Sequence, residues 1–343
     1  MTDQQSNFDI ESIVNDVLAT IEKEREREII ARRYGLFDRR ETLEQIGELL
    51  GITRERVRQL EKATVHKLAA AALEDLPHGE LIEASIKAEL AEKGQAARIS
   101  KLAELLTGKN DKITQSRMAF LAELTPNITF IEENDNYHGA VSITPKKTDK
   151  AIKKYVDEII ASIKKIGKPV SIQEIAGALG NSDSKNVEAL ASVSKQLATL
   201  NGRWGLIKWP MVNPKNIRDK IYVILYEHGK YMHFSEISSA IKDSEFKRKD
   251  VTTQAIHNEL IKDKRFILVG RGIYALKEWG FKQGTVADVI VEIMKDAGEP
   301  LHRDEIVKRV LKKRFVKETT ILLNLQGKKQ FKRTAKATYT LAE

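Results

Sequence analysis

The stretch Thr42-Leu-Glu-Gln-Ile-Gly-Glu-Leu-Leu-Gly-Ile-Thr-Arg-Glu-Arg-Val-Arg-Gln-Leu-Glu-Lys-Ala-Thr64 divides at Gly51 into two short amphipathic segments. Ile46, Leu50, Ile52, Val57 and Leu60 recur at helical spacing and predict a small shared core. Gly51 falls where a turn between two helices calls for positive φ. Gly47, four residues earlier, is small enough to let the helices cross closely. Thr53 is placed to cap the second helix. The whole reads as a helix-turn-helix, with Arg54, Glu55, Arg56, Arg58 and Gln59 along the start and exposed side of its second helix.

Those side chains suit DNA. Arginine binds guanine through two hydrogen bonds, glutamate accepts from cytosine, and glutamine reads adenine. Arginine also grips phosphates, and base readout begins where a helix N-terminus enters the major groove. A solvated charged face is the competing reading. The joint register of Gly51, Thr53 and the apolar residues favours DNA readout.

Working outward, four nine-residue stretches align without gaps: Gly94-Gln-Ala-Ala-Arg-Ile-Ser-Lys-Leu102, Gly167-Lys-Pro-Val-Ser-Ile-Gln-Glu-Ile175, Gly229-Lys-Tyr-Met-His-Phe-Ser-Glu-Ile237 and Gly298-Glu-Pro-Leu-His-Arg-Asp-Glu-Ile306. Apolar residues precede the glycines at helical spacing, as in Ile82, Ile86 and Leu90, Ile217, Ile221 and Leu225, and Val286, Ile290 and Met294. Second helices are expected near Ile172, Phe234 and Arg303, and third helices near 184–200, 250–263 and 318–326. Short β-type runs close each repeat: Ile128–Ile131 with Ala140–Ile143, Trp204–Trp209, Phe266–Val269 with Ile273–Leu276, and Ala337–Leu341. Three helices and a β-hairpin in ~65 residues is the order of a winged helix, and such small units gain from packing on neighbours. An array of helical hairpins without wings is the alternative.

The expected fold is mainly α: a helix-turn-helix over 1–76, then about four winged-helix-like repeats over 77–147, 148–212, 213–282 and 283–343. Pro77, Pro145, Pro210 and Pro214 mark the joints.

The 343 residues include no cysteine, which excludes disulfides, thiolate metal sites and cysteine nucleophiles. No apolar run is long enough to span a membrane and the start carries no signal pattern, so a cytoplasmic, nucleoid-associated protein is expected. The net charge of +9 favours an anionic partner. By the same five segments it runs −4, −1, +4, +5 and +5, so the basic excess lies in the C-terminal half.

His66, His78, His138, His228, His233, His257 and His302 show no metal-ligand spacing, and no phosphate loop or nucleophile elbow occurs. No enzyme, cofactor or metal is expected. His233 and His302 share a repeat position that suits a hydrogen bond into the following helix, and Trp204, Trp209 and Trp279 read as core.

Residues Glu26–Leu68 resemble region four of the primary sigma factors of bacterial RNA polymerase. The likeness rests on Glu26-Arg-Glu28, Arg32-Arg-Tyr-Gly35, Thr42-Leu-Glu-Gln-Ile-Gly47, Thr53-Arg-Glu-Arg-Val-Arg-Gln-Leu-Glu61 and Lys67-Leu68. In that family the region binds the promoter −35 element and the flap of the polymerase β subunit. The resemblance implies base reading by Arg54, Glu55 and Gln59, and backbone contact by Arg56 and Arg58. Leu43 falls at the start of the helix that meets the backbone, and Thr53 and Lys62 are counted with the backbone contacts. The family's core-binding, −10-melting region two has no counterpart here, so initiation by this chain alone is not expected.

Residues 214–281 resemble the HARE-type helix-turn-helix, a winged-helix family that includes the N-terminal domain of the polymerase delta subunit. The likeness lies in His233-Phe-Ser-Glu-Ile237, Val251-Thr-Thr-Gln-Ala-Ile256 and Phe266–Leu276. Lys247, Arg248 and Lys249 precede the third helix, Thr252 and Gln254 lie in its first turn, and Arg271 sits between two glycines at the expected wing tip. For these, as for the runs Lys312-Lys-Arg314 with Lys317 and Lys328, Lys329, Lys332 and Arg333, phosphate contact and simple solvation both stand.

The expected function is a promoter-binding transcription regulator with double-stranded DNA and the polymerase β flap as partners and no membrane role. The rivals are a delta-like polymerase accessory subunit working through protein contacts and a DNA-modification or defence sensor.

Overall fold

The computed structural model describes residues 8–72, 76–143, 148–281 and 284–342. Pro145 and the segment ends at 147 and 282 lie outside them. The protein is mainly helical and forms two compact units, residues 1–208 and 209–343.

The first unit opens with α1 (Ile10–Ala19), α2 (Glu24–Tyr34), α3 (Leu43–Leu50) and α4 (Arg54–Ala71). Local signals set each boundary. Asp9 accepts from two first-turn N–H groups of α1, and Gly35 ends α2 in the left-handed region. Thr42 and Gln45 close a capping box at the start of α3, and Gly51 ends it at φ 63°. Thr53 accepts from the Arg56 N–H to open α4. The core expected around the turn forms, with Ile46 and Val57 fully buried and Leu50, Ile52 and Leu60 against them. Ile29 of α2 completes it, and Leu43 packs on it.

The winged-helix-like order begins with α5 (Gly79–Glu92), β1 (Ala96–Arg98), α6 (Ile99–Thr107), α7 (Lys112–Leu124), β2 (Thr129–Ile131) and β3 (Ala140–Ser142). It recurs as α8 (Asp149–Ile166), β4 (Val170–Ser171), α9 (Ile172–Ala178), α10 (Ser184–Val193), β5 (Leu197–Leu200) and β6 (Arg203–Leu206). In each module the last strand lies centrally, antiparallel to both others, giving the orders β1-β3-β2 and β4-β6-β5.

One boundary differs from expectation. The helix anticipated over 184–200 stops at Val193, and residues 197–200 pair with 203–206 as a hairpin. Asn201 and Gly202, at φ 49° and 72°, supply the positive-φ pair that a two-residue hairpin turn demands.

The first unit is welded by its own core. Ile30, Leu36, Leu68 and the apolar face of α1 join α5, α6 and α7 in one cluster. Buried Arg117 on α7 donates to the Leu36 carbonyl at 2.7 Å and to Glu11 at 2.8 Å. On β2 and β3, Ile131 and Ala140 are fully buried, and the hairpin's Tyr137 and His138 bond to 193–194 at the end of α10.

The second unit carries α11 (Ile217–His228), β7 (Met232–His233), α12 (Phe234–Asp243), α13 (Thr253–Lys262), β8 (Phe266–Gly270) and β9 (Ile273–Leu276). There follow α14 (Val286–Ala297), β10 (Leu301–His302), α15 (Arg303–Lys313), α16 (Glu318–Gly327), β11 (Phe331–Ala335) and β12 (Thr338–Leu341). The sheets again place the last strand centrally, β7-β9-β8 and β10-β12-β11. A short strand before each second helix, and β11, were not anticipated from the sequence. Their runs are too short or too charged to show a period of two.

The shared Ser/His position caps helices as expected. Ser171 forms a capping box with Glu174. The Nδ1 atoms of His233 and His302 accept from the N–H groups of Ser235 and Asp304 at 3.3 and 3.4 Å. Arg98 takes this place in the first module, makes no cap, and donates to the Ser192 carbonyl instead.

Candidate nucleic-acid interface

Helix α4 is amphipathic across two different partners. Val57, Thr64 and Leu68 are buried, with Leu60 beside them. At 100° per residue, Glu55, Arg58, Gln59 and Lys62 share the opposite side, and Arg54 and Arg56 stand at its two edges. All six are exposed. The second helix of the motif therefore offers a continuous polar face that begins at its own N-terminus.

That face is organised before any ligand arrives. Arg58 donates to both carboxylate oxygens of Glu55, from Nε at 2.8 Å and from a terminal nitrogen at 2.6 Å. Gln59 donates to Glu55 at 3.4 Å, and Arg56 donates to Gln59 at 3.4 Å. The Arg58 hydrogen bonds hold the Glu55 carboxyl below its ordinary range and raise the Arg58 guanidinium. Glu55 thus stays an anion, and with Oε1 accepting twice and Oε2 once, Oε2 keeps one lone pair for a base edge. Among the described residues Arg54 and Lys62 form no ion pair, so both cations are open to an incoming phosphate or guanine.

Two glycines make this placement possible. A Cβ on Gly47 would sit 2.7 Å from the Ile52 carbonyl oxygen, so the first helix rests directly on the turn. Gly51 faces open space, and its need is conformational. Leu43, at the first helical position of α3, has its side chain in the small core and leaves its backbone N–H for any phosphate.

Sequence reasoning missed part of the scaffold. The Thr42–Gln45 capping box was legible as a Thr-x-x-Gln pattern. Ile29 and Arg25 were not, because both act across the tertiary fold. Arg25 donates to the Leu50 carbonyl at 2.5 Å and satisfies the end of α3.

The secondary candidates do not gather into one patch. Thr252 is the N-cap of α13, accepting from Ala255 at 3.2 Å, and Gln254 donates to Asn258 at 3.1 Å. The Arg248 carbonyl accepts from buried Lys220 at 2.6 Å, and Lys249 donates to the Ser244 carbonyl at 3.1 Å, at the end of α12. Lys247 and Arg248 keep exposed side chains. Arg271 is exposed in the β8–β9 turn, whose Gly272 lies against His233 at the start of α12. The ten residues of α12 hold the two groups about 15 Å apart.

In the fourth module Lys313 pairs with Glu292 at 3.1 Å, and Arg314 donates to the Gly284 carbonyl. That part of the 312–317 run is structural. Among the described residues no group of three or more acidic or histidine side chains could hold a metal ion, and no helix is long and apolar enough to cross a membrane.

Comparison with known proteins falls on the same segment of sequence. Residues 23–70, which span α2, α3 and nearly all of α4, match the family described as Sigma-70, region 4. The chain is 51% identical over 53 residues to the RNA polymerase sigma factor SigA1 of Synechococcus elongatus, covering 15% of this chain and 13% of that protein. It is 46% identical over 56 residues to SigA of a Bacillus species, covering 16% of this chain and 15% of the relative. The same identity and length hold for SigA of Microcystis aeruginosa, over 16% and 13%. The match spans about one-seventh of each relative's length. Over residues 23–70, the helix-turn-helix of this chain resembles region 4 of the sigma factors.

Proposed function

We propose that this protein is a sigma-factor-related transcription regulator that reads a −35-like promoter element through α4. One observation carries the reading. Arg54, Glu55, Arg58 and Gln59 lie exposed together from the first turn of α4, in the segment that matches Sigma-70, region 4. Arg54, Glu55 and Gln59 contact bases, while Arg56, Arg58, Lys62, Thr53 and the Leu43 N–H contact the backbone.

The four modules are copies of one winged-helix repeat, the third of HARE type, and they extend contact along DNA or onto RNA polymerase. The protein performs no chemistry of its own and works on the nucleoid in the cytoplasm. Polymerase association, including a contact to the β flap, belongs to the same proposal.

The test is binding to labelled duplexes by anisotropy across a salt series, without polymerase. A −35-like duplex is compared with a scrambled one, for wild type and Arg54→Ala/Gln59→Ala. Each good base contact discriminates by about 1–3 kcal/mol, so the double variant should lose a preference of tenfold or more. Its salt slope should fall by no more than about 1, because phosphate contacts set the slope. Equal binding of both duplexes by wild type would refute base readout.

A second reading has its own support. Ile261 on α13 and Leu323 on α16 are 65% and 67% exposed, on the third helices of their modules. Apolar tips there suit a protein surface better than phosphates. An accessory factor bound to polymerase through these helices predicts tight polymerase association and little sequence preference.

A further inference from the structure

The four wing hairpins differ sharply in charge. Residues 128–143, 196–207, 266–276 and 328–342 carry −3, +1, +1 and +5. The first is acidic and folded into its neighbour, with Glu133 paired to Lys195 at 2.7 Å. The fourth holds Lys328, Lys329, Lys332, Arg333 and Lys336 with no acidic residue. All five are exposed and none forms an ion pair among the described residues. Arg333 donates only to the Ala335 carbonyl, at 3.1 Å, and the acid influenced by Lys328 is Asp288, whose carboxylate is already bonded by Thr285.

From this we infer that the β11–β12 hairpin is a second nucleic-acid contact, gripping the phosphate backbone of duplex DNA with its wing. Three observations fix the occupant and the mode. First, the sheet pairs Lys332 with Thr340, where the third module pairs buried Ile267 with Ala275. The face that is apolar and covered in one module is cationic and open in the next.

Second, α16 contains no Lys or Arg from Glu318 to Gly327, and Leu323 stands exposed on it. The third helix of this module brings no cation of its own between Glu318 and Gly327, so the positive charge that attracts phosphates sits on the hairpin. Third, β11 is an edge strand, and one or two cations suffice to blunt an edge. That need accounts for Lys332 and Arg333 but not for Lys329, Lys336 and the missing acids. The five residues of β11, Phe331–Ala335, reach about 16 Å, with Lys329 and Lys336 beyond its two ends, which spans more than one phosphate of a duplex. The choice of DNA as the polyanion rests on the α4 reading above.

The test uses the full chain with Lys332→Ala/Arg333→Ala/Lys336→Ala, beside wild type and Arg54→Ala/Gln59→Ala, on duplexes of about 60 base pairs over a salt series. Each phosphate contact adds about 0.9 to the slope of log K against log salt. The triple variant should lose about 2–3 from that slope and on the order of 10²-fold in affinity at 0.1 M salt. It should keep the wild-type ratio between −35-like and scrambled duplexes, and its melting temperature.

Failure of the α4 reading would appear as no sequence preference in wild type, with the triple variant still losing slope. An unchanged slope in a folded triple variant overturns the wing contact. So does a defect confined to anionic phosphatidylserine vesicles, run as a parallel arm, which would make a membrane surface the partner.

Discussion

Glu55 and Arg58 stand three residues apart on α4, and their paired hydrogen bonds order the exposed polar face of that helix. Replacing Glu55 with Gln removes the anion that fixes Arg58. Its expected effect is on which sequences bind rather than on stability, because exposed pairs contribute little to folding. Selection of preferred duplexes from a randomised pool should return a changed consensus for Glu55→Gln.

The two glycines of the turn make opposite demands. At Gly47→Ala the new methyl must displace the Ile52 carbonyl, an overpacking that costs about 1–3 kcal/mol. At Gly51→Ala there is space, and the cost is about 1 kcal/mol from the left-handed backbone alone. Chemical denaturation of both variants should rank Gly47→Ala as the more damaging. The reverse order would mean that the left-handed backbone at Gly51, and not the close approach of α3, limits the turn.

Among the elements, short helices depend on their ends. The capping box at Ser171 and Glu174 opens a helix of seven residues, so Ser171→Ala should cost about 1 kcal/mol. The readout is faster amide exchange in Ile172–Ala178, with the helix-turn-helix unaffected.

In the second unit, Arg265 ties the turn before β8 to α11. It bonds Asp263 at 2.7 Å and Asp219 at 3.2 Å, with its guanidinium 5.3 Å from the Tyr222 ring centre. The Arg265 hydrogen bonds, opposed by burial, hold the Asp263 carboxyl below the usual aspartate range. A carboxylate depressed in the fold adds stability above its ordinary pKa, near 4, and that contribution is lost as pH falls through the lowered value. The melting temperature of wild type should therefore drop more steeply below about pH 4 than that of Arg265→Met, which lacks the interaction at every pH. Parallel curves would remove Asp263 from the account.

At the scale of the molecule, the first module lays its hairpin against the second within the first unit, and a glycine shared by all four modules serves two purposes. Gly167, Gly229 and Gly298 end helices in the left-handed region with open space around them. Gly94 has the same sign of φ, yet a Cβ there would fall on the Lys185 carbonyl oxygen of α10. Asn186 on that helix donates to the Gly94 carbonyl at 2.8 Å. Gly94→Ala should loosen the first module from the second, and Gly167→Ala should not. Limited proteolysis around residues 134–139 and 181–183 separates the two outcomes.

Whatever depends on local chemistry is already written in the order of the amino acids. Apolar residues at helical spacing placed Ile82, Ile86 and Leu90 inside, and capping residues started helices at Ile172, Phe234 and Arg303. The spacing around Gly51 set out the helix-turn-helix with its polar face, because each of these signals acts within one or two turns of backbone. Even at 197–200, where a strand replaces the expected helix end, Asn201-Gly202 is a local hairpin signal.

What distant residues do to each other follows from the folding of the chain. It placed Ile29 under α3 and α4, Arg25 on the end of α3, and Arg117 against Leu36. It also sorted the basic runs. Lys313 and Arg314 are spent on Glu292 and Gly284, while the cations of the last hairpin stand clear. Charge is written in the sequence, but whether a charge meets a partner within 4 Å is settled only when the chain folds back on itself.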